Sequence, residues 1–202
     1  MNKTVTSRED ILAAGKAIAA RRGLVAINMR EVASECGVAV GSIYNYFPSK
    51  NDLMIATVEA IWIEIIQEIA DSPDTEGFLE TVEKLFYCVK SGGEKYPYFF
   101  SAHSMSVEKS GLDQGREVMG QYFDYIKIKL LSSLEADQRV KKEFFSERCT
   151  RTEFVEFVFS NLLSLLMQKQ QSCRVLTEVI RGAVYGACGE EAGCFPHSES
   201  KG

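Results

Sequence analysis

The chain has 202 residues, 46% hydrophobic and 25% charged, with only four prolines. Those proportions are ordinary for a soluble globular protein with a substantial core, and no apolar run is long enough to span a bilayer. The net charge of −5 argues against a chain that is basic throughout, but the charge is uneven. Residues 1–50 hold Lys3, Arg8, Lys16, Arg21, Arg22, Arg30 and Lys50 against Glu9, Asp10, Glu31 and Glu35, a net of +3, so the remainder carries −8. A basic head that meets phosphates and an acidic body that stays away from them suits nucleic-acid binding.

A first helix is expected from Ser7, whose hydroxyl can cap it while Glu9 and Asp10 face the positive end of its dipole. Ile11, Leu12, Ala14, Ile18 and Ala19 form its apolar stripe, and Arg21-Arg22-Gly23 closes it. Asn28 caps a second helix, with Glu31 in capping-box position and Val32, Ala33 and Cys36 facing inward. Gly37 sits where the chain must stop and turn sharply, and Val38 is expected to plug the junction. Gly41 to Phe47 forms a short third helix ended by Pro48. Two short helices joined by a glycine turn make a helix-turn-helix, whose second helix is presented to the DNA major groove.

Ser49 and Asp52 start a long helix in which Met54, Val58, Ile61, Trp62, Ile65, Ile66 and Ile69 recur at three- and four-residue steps. Asp71-Ser72-Pro73-Asp74 breaks that pattern. Helical patterns continue over about 76–91, 94–107, 113–134, 151–170 and 173–187, with Gly92-Gly93 and 108–112 as connections. A short helix is expected around Val140 to Phe145, and Thr150-Arg151-Thr152-Glu153 is another capping box. Residues 188–202 are small and polar and are expected to be a disordered tail. The fold class is all-α, with about nine helices.

Six scattered cysteines without a Cys-x-x-Cys pair, and no signal peptide, predict a reduced, cytoplasmic protein. His103 and His197 are the only histidines, so no histidine metal cluster is available. No Gly-x-Ser-x-Gly, P-loop or His-Glu-x-x-His occurs, and neither an enzyme nor a cofactor is expected.

Val32-Ala33, Gly37-Val38, Gly41-Ser42-Ile43-Tyr44, Tyr46-Phe47 and Ser49-Lys50-x-x-Leu53 together resemble the motif of TetR/AcrR-type transcriptional regulators, over about residues 8–55. The resemblance implies a DNA-binding head at 1–50 and an effector-binding and dimerisation body at 51–187. It also implies a homodimeric repressor released from a palindromic operator by a small hydrophobic or amphipathic effector. Two positions depart from the pattern: Ala39 and Val40 stand where members often carry a serine and then a polar or basic residue. Ala39 cannot cap the recognition helix, a loss of about 1 kcal/mol. Val40 offers no hydrogen bond to a base edge, only contact with a thymine methyl. The competing reading is a helical sensor that binds a small molecule or a protein partner without regulating a promoter.

Tyr44 and Tyr46, two residues apart on a helix, cannot both be buried on one face, so at least one phenol, Tyr44 first, is expected to reach phosphate. Lys50 lies in a first helical turn, where the dipole disfavours a cation unless a phosphate is near. Ser42 and Asn45 are the polar residues of the recognition helix, and Arg30 is expected at phosphate. For the effector, an aromatic set of Trp62, Phe86, Tyr87, Phe99, Tyr122 and Phe123, with Met105, surrounds His103 as a polar anchor; plain aromatic core is the alternative. For the dimer, Phe154, Phe157, Val158, Leu162, Leu165 and Leu166 line one helix. Val175, Leu176, Val179, Ile180 and Val184 line the next, and the pair would build an intersubunit four-helix bundle.

Overall fold

A computed structural model describes residues 6–70, 77–97, 99 and 113–186. The expected tail at 188–202, most of the helix expected at 94–107, His103 and Met105 lie outside the described residues. Among the described residues the chain is helical, with eight α-helices and, besides them, a single bridge between Ser146 and Cys149. The helices are α1 Arg8–Arg22, α2 Met29–Glu35, α3 Val40–Tyr44, α4 Lys50–Ala70, α5 Phe78–Lys95, α6 Asp113–Ala136, α7 Arg151–Met167 and α8 Arg174–Ile180.

The head forms because each short helix is capped and each turn has the residue it needs. Ser7 and Asp10 satisfy one another's backbone N–H at 3.0 and 2.9 Å, and the Asn28 side chain accepts from the Glu31 N–H at 3.0 Å. Gly37 takes φ +67°, a left-handed conformation in which a Cβ is strained, and Val38 N then bonds back to the Ala33 carbonyl at 2.9 Å. Ile11, Ile18, Ile27, Val32, Ile43 and Phe47 are buried between α1, α2 and α3. Arg21 and Arg22 at the end of α1 pair with Glu35 and Glu31 of α2, so two of the head's cations are spent internally.

Helix α4 starts from Ser49, whose Oγ caps the Asp52 N–H at 3.2 Å, and it packs on α1 and then on α5. Gly92-Gly93, expected as a connection, lies inside α5, which runs on to Lys95. A Cβ at Gly92 would lie 2.5 Å from Ile65 Cγ1, so glycine here permits close approach of α5 to α4 and does not end a helix.

The short element expected near Val140 to Phe145 is a 3₁₀ turn at Lys142–Phe144, and α8 passes into a π turn at Arg181–Tyr185 where one continuous helix was expected. A buried carboxylate fastens this end of the body. Asp137 accepts from Phe78 N at 3.0 Å, from Tyr185 Oη at 2.6 Å and from Arg139. Burial pushes the Asp137 carboxyl up, but these donors outweigh it and hold the group far below the usual carboxylate range.

Candidate functional site

The outer face of the head carries the expected DNA contacts at unequal readiness. Arg30, Asn45 and Lys50 are exposed, Ser42 is half-buried, and Tyr44 and Tyr46 are 52% and 42% exposed. Ala39 precedes α3 with no side-chain cap, as its chemistry requires, and Val40 is half-buried. The two tyrosines differ in their hydroxyls. Tyr46 Oη donates to the Thr6 carbonyl at 2.6 Å, whereas Tyr44 has no such bond among the described residues. A phosphate oxygen requires a donor, and a phenol has one O–H to give. Tyr46 therefore fastens the chain ahead of α1, and the exposed Tyr44 hydroxyl keeps its proton to donate elsewhere.

Arg8, which local pattern did not single out, is exposed as well. Its guanidinium sits over the Phe47 ring, 5.3 Å from the centroid, next to Tyr46. Only its place in the tally of basic residues hinted at a role. With Arg30 and Lys50 it supplies positive charge not consumed by an ion pair among the described residues.

In the body, α4, α5, α6 and α7 enclose a cavity of about 350 Å³. Trp62, Leu85, Val89, Phe123, Ile126 and Phe159 form apolar walls, and Lys90, Glu94, Lys169, Gln170 and Gln171 a polar rim. Of the aromatic residues expected here, Trp62 and Phe123 line the cavity, with ring centroids 5.8 Å apart. Tyr122 stacks on Trp62 at 5.7 Å and Phe99 meets it edge-on at 5.5 Å, so both buttress the wall. Phe86 is core, and Tyr87 faces a second, polar groove between α4 and α5. The residues that periodicity missed are the α7 contributions: Phe159, which no expected site included, and Leu162 and Leu166, which are expected at a subunit interface.

Glu64, at the wall of that second groove, links head and body. Its carboxylate accepts from Lys16 of α1 at 2.5 Å, from Tyr96 at 3.1 Å and from Lys95. Burial pushes the Glu64 carboxyl up, but the hydrogen bonds and charges of Lys16 and Lys95 overcome this and bring it down to about 2. Gly93, Glu94 and Pro97 line the cavity while the intervening Lys95 and Tyr96 hold Glu64, so one short segment touches both.

The apolar stripes of α7 and α8 divide between two destinations. Phe154, Val158 and Leu162, and likewise Leu176, Ile180 and Val184, are buried within the chain's own core. Leu165 and Leu166 are half-buried. Of these stripes, Phe157 at 50%, Val179 at 54% and Val175 at 80% exposure face outward, as does Met167 at the end of α7 at 54%. Among the described residues no helix is long and apolar enough to cross a membrane.

Residues 11–57 match the family of bacterial regulatory proteins called the tetR family. The chain is 28% identical over 130 residues to the HTH-type transcriptional repressor KstR of Rhodococcus jostii, covering 63% of this chain and 61% of that protein. KstR of Mycobacterium tuberculosis is 47% identical over 51 residues, 25% of this chain and 23% of that protein. The chain thus spans less than two thirds of the length of these curated relatives. Among solved structures, the regulator FadR of Bacillus subtilis in complex with stearoyl-CoA shares the fold, with a TM-score of 0.56 at 15% identity, over 90% of this chain and 100% of that one.

Proposed function

We propose that the chain, whose residues 11–57 match the tetR family of bacterial regulatory proteins, is a homodimeric DNA-binding repressor released from a palindromic operator by a small apolar or amphipathic effector. One observation carries the proposal: α4 begins at the exposed Lys50 beside α3 and passes Trp62 in the cavity wall. The two positions are twelve residues apart, roughly 18 Å along a helix, on one rigid element. The Glu64 clasp adds a second tie from the cavity rim to α1.

In this reading Arg8, Arg30, Tyr44 and Lys50 grip phosphates, and Ser42 and Asn45 supply what polar base contact α3 has. The outward residues Phe157, Val175 and Val179 form the contact with a second subunit and set the recognition helices about 34–36 Å apart, one turn of DNA. An effector that binds a wider-spaced state more tightly weakens operator affinity by that ratio. The KstR relatives are repressors and the FadR neighbour holds an amphipathic ligand, which supports both halves of the reading.

The test is selection of duplexes from a random library by the full chain at moderate salt. The expected product is an inverted repeat with half-sites one turn apart. Retention of no duplex would sink the repressor and favour a sensor without a promoter, the reading that the uncapped, apolar Ala39-Val40 start of α3 would then explain.

A further inference from the structure

The body cavity has its polar groups concentrated on one side. Its walls are apolar, whereas the turn that follows α7 contributes Lys169, Gln170 and Gln171 consecutively to the rim. Lys169 has φ +55°, the one non-glycine residue of positive φ among the described residues. Its N–H bonds to the Leu166 carbonyl and the Gln170 N–H to the Leu165 carbonyl, both at 3.0 Å, which is the helix-ending turn that glycine usually occupies. Glycine would close that turn without strain. The chain instead holds a lysine there, and the lysine lines the cavity. Strained residues of this kind cluster where a side chain clamps a ligand.

The charge on the rim points the same way. Lys90 is answered by Glu94 at 2.9 Å, whereas Lys169 has no ion pair among the described residues. Gln171 Nε2 donates to the Lys169 carbonyl at 3.2 Å and stiffens the turn. One unanswered positive charge at the mouth of an apolar chamber matches one negative charge on an apolar ligand.

We propose that the cavity takes a monocarboxylate amphipath, with its apolar tail between Trp62 and Phe159 and its carboxylate at Lys169. This rests on the effector reading of the cavity and adds the class of effector. A carboxylate gains a charge-assisted hydrogen bond from Lys169, a neutral hydroxyl gains an ordinary one, and a cation is repelled.

Trp62 is the only tryptophan of the chain, and it lines the cavity, so its emission reports entry. The full chain, without DNA, is titrated with decanoate, decanol and decyltrimethylammonium, each below its micellar concentration. Decanoate is expected to bind about tenfold more tightly than decanol, with the ammonium weakest and the preference narrowing in high salt. Lys169→Gln should lose the preference while decanol titrates as before. Lys169→Gly should lose it too, with a melting temperature at or above that of the wild type, which excludes misfolding as the cause. Equal affinity for decanoate and decanol, a preference that survives Lys169→Gln, tighter binding of the ammonium, or no Trp62 response to any of the three would overturn the proposal. No DNA takes part, so those failures leave the repressor standing. Intact ligand discrimination in a chain that retains no duplex would sink the repressor alone.

Discussion

A phenol has a single proton to donate, and where that proton goes separates Tyr44 from Tyr46. Tyr46→Phe removes a hydrogen bond to Thr6 and should lower stability by about 0.5–1.5 kcal/mol, a melting shift of a few degrees, with little change in the salt dependence of DNA binding. Tyr44→Phe should do the reverse: an unchanged melting temperature and a several-fold weaker duplex. Lys50→Ala should flatten the plot of log affinity against log salt by about one per head, as loss of one phosphate contact requires. Thermal melts and anisotropy titrations on the selected duplex decide the matter; a Tyr46→Phe variant that loses DNA without losing stability would reverse the assignment. The sequence could separate the two side chains by direction, because periodicity is local. It could not reveal the partner of Tyr46, a backbone carbonyl forty residues away. The missing cap at Ala39 was legible because an alanine has no acceptor in any conformation.

At the scale of elements, α4 and α5 show how pattern finds helices more easily than it finds their contacts. The stripe through Val58, Ile61, Trp62, Ile65 and Ile66 was plain, and all five are buried. Gly92-Gly93 misled, since a glycine pair reads as a break unless the partner helix is known to press against it. Glu64 went unnoticed for a similar reason: its partners come from α1 and from the end of α5. The carboxylate is held below its ordinary value of 4.5, at about 2. Its contribution is therefore complete above the unfolded value and is lost as the pH falls from about 4.5 towards 2. Glu64→Gln should melt lower than wild type at pH 6, and the gap should narrow below about pH 4.5 and close near pH 2. Other depressed carboxylates, Asp137 among them, fall away in both proteins, so the difference between the two curves isolates the clasp. Parallel curves from pH 6 to 2 would show that Glu64 is not linked to folding.

For the whole molecule, the uneven charge and the two faces of α7 and α8 set how a pair of chains would meet DNA. The head's +3 and the body's −8 orient the molecule before contact. The apolar stripes of α7 and α8 were legible as stripes. Which side served the chain's own core was not, because a helix apolar around much of its girth gives the same periodicity for either partner. Burial separates them: Val158 is inside and Val179 outside. Val179→Lys should leave the fold intact by circular dichroism, since a lysine at an exposed site needs no burial. Across a two-fold axis, however, it sets an ammonium against an apolar face that must be desolvated, so sedimentation should show monomers. A monomer loses the second head's effective concentration, and affinity for the full palindrome should drop about 10²- to 10⁴-fold while single half-site binding persists. Val158→Lys should instead unfold the chain, because it buries an unpaired charge in a packed core. Should Val179→Lys remain dimeric with full palindrome affinity, the subunits meet through another surface, and the spacing of the recognition helices would have to be set by that surface instead.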